Sequence, residues 1–147
     1  MENAKKDIQI IGFKLNEEEY ALEISSVQEI IKIPAITRVP RAKAYILGVI
    51  NLRGIVIPVI DLNIRFGKEK TMDIDKKRVI ILKIGTVFIG IVVDSVSEVI
   101  DVNAAEILSN PTITSSMNQE FLKGVCKLAD DRLLTLLDIE KTLEIKA

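Results

Sequence analysis

Residues 48–62 read GVINLRGIVIPVIDL, two apolar runs separated by Arg53 and Gly54. The runs are rich in isoleucine and valine, whose β-branched side chains fit the half-buried surface of a sheet. Gly54 permits a tight turn between them, so the stretch predicts a β-hairpin with Arg53 at its tip. A guanidinium presented in this way can recognise a carboxylate through two hydrogen bonds. Arg53 is therefore either a recognition residue or an ordinary surface arginine.

Prolines mark three further positions near this hairpin. Pro58 lies within the second apolar run, and because proline cannot donate to a sheet ladder, it predicts an edge strand or a bulge there. An edge strand is open to pairing with a partner. Upstream, Pro34 and Pro40 bracket a predicted loop, and residues 41–48 (RAKAYILG) have weak helical character.

Composition extends the β prediction to the whole chain. Twenty-five isoleucines and 13 valines among 147 residues, with few aromatic side chains, predict an all-β protein with many short strands. Strands are expected over residues 7–15, 18–24 and 27–33. A short helix is expected over residues 62–66, capped by Asp61, whose carboxylate can accept hydrogen bonds from free backbone N–H groups.

The strand expected at residues 27–33 (VQEIIKI) mixes apolar and polar side chains on both faces. Strict alternation places two sets of side chains on opposite faces, namely Gln28, Ile30 and Lys32 against Val27, Glu29, Ile31 and Ile33. The second set is the more apolar and is expected to pack inward near Ile31 and Ile33. Val27 and Glu29 would then lie at the margin of the barrel, with Ile30 partly exposed opposite.

The two halves of the chain repeat the same order of motifs. Residues 20–30 (YALEISSVQEI) align with residues 89–99 (IGIVVDSVSEV) at an offset of 69, which matches Glu29 with Glu98. Gly48 then matches Gly124 at an offset of 76. The sequence therefore predicts an internal duplication.

The predicted duplication covers approximately residues 7–67 and 76–143, joined by a charged linker at residues 67–78 within a single domain of 147 residues. Each half is expected to form a small sheet of about five strands, which suits usual sheet sizes. Since neither half would bury enough surface alone, we expect two small pseudo-symmetric β-barrels that share apolar surface.

Composition also argues against several classes of function. Twenty basic and 21 acidic residues give a formal charge of −1, which provides no overall attraction to nucleic acid or an anionic membrane. The absence of histidine removes most hydrolase triads and zinc sites. Cys126 lies in an apolar run and is expected to be a buried hydrophobe. With one cysteine and no apolar signal segment or membrane-spanning run, a cytoplasmic location is expected.

Asp61 and Asp138 occupy matching positions in the two halves, at an offset of 77. Paired carboxylates in a duplicated β protein suggest a catalytic dyad of the aspartic protease kind. Helix capping explains both residues without catalysis, and the glycine-containing turns of such a dyad are missing. A carboxylate-dyad hydrolase and a β-barrel nucleic-acid binder remain as alternative functions.

The pattern G-V-x-N-L-R-G-x-x-x-P-V-x-D-L at residues 48–62 closely resembles the CheW family of bacterial chemotaxis coupling proteins. The resemblance extends through IGIVVDSVSEVI and LLTLLDIEKTL and covers about residues 9–143. It implies two SH3-like five-stranded β-barrels that share a core, with short helices, which agrees with the fold expected from the residues.

The resemblance also implies a non-catalytic adaptor, without a cofactor, that links methyl-accepting chemoreceptors to the histidine kinase CheA. Receptor contact in the family is attributed to positions that match Val27, Glu29 and Arg53. Contact with the regulatory domain of the kinase is attributed to apolar positions that match Ile11, Ile24 and Ile30. An adaptor of this family would be cytoplasmic and recruited to receptor arrays at the membrane. A related array that controls pili or development in place of flagella is an alternative.

Overall fold

The computed structural model describes residues 7–68, 75–103, 105, 107–108, 121–128 and 132–143. The strands of the first half are β1 (Asp7–Leu15), β2 (Glu18–Glu23), β3 (Val27–Lys32), β4 (Ile46–Leu52) and β5 (Ile55–Asp61). Those of the second half are β6 (Arg78–Ile84), β7 (Val87–Val93), β8 (Ser95–Asn103), β9 (Ile107–Leu108), β10 (Leu122–Lys127) and β11 (Leu133–Leu137). Two short helices, α1 (Leu62–Arg65) and α2 (Ile139–Leu143), follow β5 and β11. The prediction of an all-β protein with short helices is confirmed.

The strands form two sheets, with the orders β8-β1-β2-β11-β10-β9 and β3-β6-β7-β5-β4. Each sheet takes its two central hairpin strands from one half of the chain and its flanking strands from the other half. The expectation that each half forms its own sheet is therefore wrong. Exchange of strands lets both halves bury apolar surface together, which separate halves of this size would leave exposed.

The two sheets are equivalent in register as well as in order. Ile30 pairs with Ile80 in one sheet and Val99 with Ile11 in the other, and each pair maps onto the other at the offset of 69. Both pairings include a bulge at the matching position. We infer from this equivalence that the chain arose by duplication, with the halves at about 7–67 and 76–143.

In the described part of the chain, buried apolar side chains form three clusters, one within each sheet and one between them. The cluster between the sheets is the largest and contains residues from both, including Ile11, Leu22, Ile80 and Ile91. Cys126 is 1% exposed and belongs to the cluster inside the first sheet, as predicted for a buried hydrophobe. The two sheets therefore share a core.

The hairpin of residues 48–62 forms as predicted, but its proline does not mark an edge strand. β5 lies between β7 and β4, and Pro58 pairs regularly with Val49, so both parts of the prediction are wrong. The bulge of this hairpin is in β4, between Ile46 and Gly48. Pairing of β5 with β7 begins only at Val59, so Pro58 needs no amide donor on that side.

The segment at residues 41–48 is a turn followed by the start of β4, and its expected helical character is wrong. Its conformation is fixed from outside by Thr37 and Val49, whose N–H groups each donate to the carbonyl of the other at 2.9 and 2.8 Å. Helical propensity is a weak preference, and tertiary pairing of this kind overrides it.

Aromatic side chains form a row through the central core, which the sequence alone did not indicate. Phe13, Tyr20, Phe66 and Phe121 follow one another with ring centroids 5.6–6.1 Å apart. The guanidinium of Arg65 extends the row, 4.8 Å from the centroid of Phe121. The row joins strands of the first half to residues beyond β9, so it connects the two halves of the molecule.

Burial of the Tyr20 hydroxyl makes the folded protein less stable at alkaline pH. The Tyr20 side chain is 2% exposed, and burial raises the pKa of its hydroxyl to about 12. The folded protein keeps this proton between about pH 10 and 12 while the unfolded chain releases it, so stability falls as pH rises through that window. We expect the wild type to lose on the order of 1–2 kcal/mol more than Tyr20→Phe between about pH 9 and 11.5. Urea unfolding at both pH values measures this difference, and equal losses would contradict it.

Candidate functional site

Arg53 and Gly54 form the two-residue turn between β4 and β5. Their φ angles are 51° and 86°, and two positive angles in succession define a type I′ hairpin turn. The Asn51 side-chain carbonyl accepts a hydrogen bond from the Gly54 N–H at 2.9 Å and fixes the turn. A non-glycine residue in the left-handed region costs about 1–2 kcal/mol. Arginine at this position therefore carries a backbone cost that glycine would not.

The guanidinium of Arg53 forms an ion pair with the carboxylate of Glu29. Glu29 lies on β3, the edge strand at the opposite side of the same sheet, so the sheet curls until its two edges meet. The Arg53 side chain is 70% exposed and that of Glu29 is 29% exposed. A guanidinium has five N–H donors, so Arg53 keeps donors that face solvent and can bind a partner.

Val27 is placed differently from Glu29, and the predicted alternation along this strand is wrong. Val27 pairs with Leu82 and Glu29 with Ile81, so Gln28 is an extra residue in β3 and forms a bulge. Val27 consequently packs against the core between the sheets, whereas Ile31 and Ile33 pack inside the second sheet. Val27 is half-buried. It is close to the ion pair in the sequence, but its side chain lies on the other face of the strand.

Two exposed apolar side chains follow the turn, and the sequence did not single them out. Ile55 is 46% and Val56 is 65% exposed, because the first half of β5 extends beyond its pairing with β7. Apolar side chains beside a charged pair are typical of a protein-binding surface. Their position directly after the turn could have indicated exposure. Only the pairing of β5 shows that no neighbouring strand covers them on the β7 side.

The three positions matched to kinase contact are not brought together on one surface. Ile30 is 37% exposed on the edge strand β3, as predicted, and Ile24 is half-buried in the 3-10 turn before that strand. Ile11 is 2% exposed in the core between the sheets. The Ile11 side chain packs between the two sheets, so it is covered and not available to a partner in this structure.

Burial of Ile11 and exposure of Ile30 predict different effects of the same conservative substitution. We expect Ile11→Val to lower the free energy of unfolding by about 1 kcal/mol, because one buried methyl group is removed. Ile30→Val should change it by less than about 0.5 kcal/mol. Urea unfolding compares the two variants, and equal losses would contradict this placement of Ile11.

A second arginine repeats the arrangement in the other sheet. Arg132, immediately before β11, forms ion pairs with Glu98 on the edge strand β8 at 3.3 Å and with Glu19 on β2 at 3.0 Å. Glu98 is the residue that the repeat matches with Glu29. The Arg132 side chain is 34% exposed, against 70% for Arg53, so it is the more enclosed of the two arginines.

Asp61 and Asp138 serve as helix caps. Asp61 is fully buried, and its carboxylate accepts hydrogen bonds from Asn63 N at 2.9 Å and Ile64 N at 3.3 Å, as predicted. The Asp138 carboxylate accepts from Lys141 N at 3.2 Å. Among the described residues no hydrogen bond joins the two carboxylates, so the arrangement lacks the shared proton of an aspartic dyad. Within the same part of the chain, no cluster of acidic or cysteine side chains has the composition to hold a metal ion.

No helix in the described ranges is long and apolar enough to cross a membrane.

The whole chain is similar to bacterial chemotaxis proteins. The chain is 39% identical to the chemotaxis protein CheW of Klebsiella aerogenes over 131 residues, covering 89% of this chain and 78% of that protein. It is 35% identical to the chemotaxis protein CheW of Helicobacter pylori, covering 97% and 86%. The crystal structure of the scaffolding protein TtCheW from Thermoanaerobacter tengcongensis superposes with a TM-score of 0.87 at 36% identity, covering 95% and 94%.

The structural likeness confirms the predicted pair of SH3-like β-barrels. The family model described as CheW-like domain matches residues 9–147, nearly the whole chain. Together with relatives above 30% identity over most of their length, this match shows that the chain belongs to the CheW-like family of chemotaxis adaptors.

Proposed function

We propose that the protein is a non-catalytic adaptor that couples methyl-accepting chemoreceptors to the histidine kinase CheA in bacterial chemotaxis. The observation that carries the proposal is the ion pair of Arg53 with Glu29, held at the tip of a rigid hairpin beside exposed apolar side chains. Membership of the CheW-like family and the likeness to a scaffolding protein support the adaptor role.

The proposed receptor surface consists of Glu29 and Arg53, extended by Ile55 and Val56. Val27 supports this surface from the other face of β3, because its packing against the core and the bulge at Gln28 fix the position of Glu29. The apolar side chains would supply desolvated contact area, while the arginine binds a carboxylate or a polar group of the receptor.

The proposed kinase surface consists of Ile24 and Ile30 and excludes Ile11, whose side chain is buried. Edge strand β3 carries this surface on the side away from Glu29. One strand would therefore contact both partners from opposite faces. We place the adaptor in the cytoplasm, recruited to receptor arrays at the membrane.

Such an adaptor acts by holding two partners in a fixed arrangement. It can change kinase activity only if it contacts the kinase-on and kinase-off arrangements with different affinity. The proposed surfaces suit this role, because both involve β3 and Val27 of that strand packs against the core between the sheets.

A capture assay tests the proposal. The cytoplasmic tip of a chemoreceptor is immobilised, and retention of the isolated CheA regulatory domain is measured with and without the protein. We expect retention only when the protein is present. Binding of the protein to neither partner, in a sample with native circular dichroism, would refute the adaptor role.

A further inference from the structure

The segment between β3 and β4 carries positive charge and contains no acidic residue. No aspartate or glutamate occurs between Glu29 and Asp61, whereas five lysines and arginines do. Arg38, Arg41 and Lys43 are exposed side chains of this segment. None of the three forms an ion pair with a residue in the described part of the chain, although Arg53, Lys68 and Lys123 each do.

These three cations line a concave surface. Arg38, Arg41 and Lys43 surround a cavity of about 370 Å³ whose floor includes the half-buried Ile46 and Leu47. A second cavity of about 340 Å³ shares Arg38, Ile46 and Leu47 with the first and extends to Ile64 of α1. The two cavities together form one groove with an apolar floor and a cationic rim, here called the basic groove.

The basic groove is built on a fixed backbone. Thr37 and Val49 exchange two hydrogen bonds at its base, and Gly48 allows this approach, since a Cβ there would lie 2.1 Å from the Thr37 carbonyl oxygen. Arg41 has a φ of 64°, a conformation unfavourable for arginine, at the tip of the turn. A rigid site loses little conformational entropy on binding, which favours affinity.

We propose that the basic groove docks an acidic amphipathic segment of a partner protein. Three neighbouring cations repel one another, and carboxylates placed along the rim would remove that repulsion while matching the guanidinium geometry. Leucine-like side chains of the same segment would cover Ile46 and Leu47. The concave shape and the apolar floor favour an inserted peptide segment over nucleic acid or a flat membrane surface.

This surface is distinct from the proposed receptor surface. The basic groove lies beside Ile46, the first residue of β4, whereas Arg53 follows Leu52, the last residue of that strand. The 7 residues of β4 span roughly 20 Å. The inference therefore goes beyond the proposed function and can fail or hold independently of it.

Fluorescence anisotropy tests the proposal with a labelled peptide that has glutamates on one face and leucines on the other. We expect the triple charge reversal Arg38→Glu, Arg41→Glu and Lys43→Glu to weaken binding roughly tenfold or more. The matched control reverses three other exposed lysines, Lys14→Glu, Lys76→Glu and Lys127→Glu, and should change binding less than about twofold. Thermal unfolding should be unchanged in both variants.

A single substitution separates charge from folding. Arg41→Gly removes one cation and also eases the left-handed backbone, so binding should fall by about two- to fivefold without loss of thermal stability. The proposal is overturned if a peptide with glutamine in place of glutamate binds equally well, or if both triple variants lose affinity alike. It is also overturned if only vesicles of phosphatidylserine and phosphatidylcholine bind, or if neither probe does.

Discussion

Arg53→Glu is expected to weaken binding to the receptor tip roughly thirtyfold or more, corresponding to about 2 kcal/mol, while binding to the CheA regulatory domain stays within about twofold. The substitution replaces exposed donors with a carboxylate and places two like charges together at residues 29 and 53. The hairpin should persist, because Gly54 and the Asn51 hydrogen bond are unchanged. Titration of each partner by calorimetry measures both affinities.

A charge exchange decides whether the charges of Arg53 and Glu29 contact the receptor or only pair with each other. The double variant Glu29→Arg with Arg53→Glu restores an internal ion pair with reversed polarity. If the arginine contacts the receptor directly, the double variant remains defective. Recovery of wild-type affinity would instead show that the pair serves the fold alone.

Arg132 provides the matched control for Arg53. It pairs with Glu98 in the equivalent place of the other barrel and lies immediately before β11. Arg132→Glu changes net charge by the same amount but lies outside the proposed receptor surface, so receptor affinity should stay within about twofold. A loss equal to that of Arg53→Glu would mean that overall charge, and not the hairpin tip, controls binding.

Gly48→Ala is expected to lower the free energy of unfolding by about 4 kcal/mol, the combined cost of overpacking and backbone strain. A Cβ at this position would lie 2.1 Å from the Thr37 carbonyl oxygen and 2.8 Å from its carbon, both backbone atoms that a rotamer change cannot move. Its φ of 150° adds strain for any residue with a Cβ. Loss of this size is a large fraction of the stability of a typical domain.

Gly54→Ala is the control that isolates the clash. Gly54 also has a positive φ, 86°, but no atom beyond its chain neighbours lies within 4 Å of the position that a Cβ would occupy there. We therefore expect a loss of only about 1–2 kcal/mol from backbone strain. Urea unfolding of both variants measures the difference, and similar losses would show that close packing on Thr37 is not important.

The features that could be predicted from the sequence follow from local rules. The Arg53-Gly54 turn is specified by neighbouring residues, and so is the cap of α1 by Asp61. The position of most strands follows from apolar patterning. Matching motifs at constant offsets also indicated two equivalent units, because a repeat is visible without knowing which strands pair.

The features that could not be predicted depend on pairing between distant strands. Gln28 forms a bulge only because Val27 and Glu29 pair with successive residues of β6, and this bulge sends Val27 to the other face of the strand. Ile11 is buried because its side chain packs against residues of the other sheet, in the core that both halves of the chain build. Neither outcome can be derived from alternation within one strand.

By itself, the sequence determined the β class, the turn that presents Arg53 and the resemblance to the CheW-like family, since these depend on residues a few positions apart. Tertiary structure alone decided that strands exchange between halves, that Arg53 meets Glu29 and that Arg38, Arg41 and Lys43 share a groove with Leu47. The physical reason is that these contacts form when the whole chain buries its apolar surface. No local preference specifies which distant strands come together.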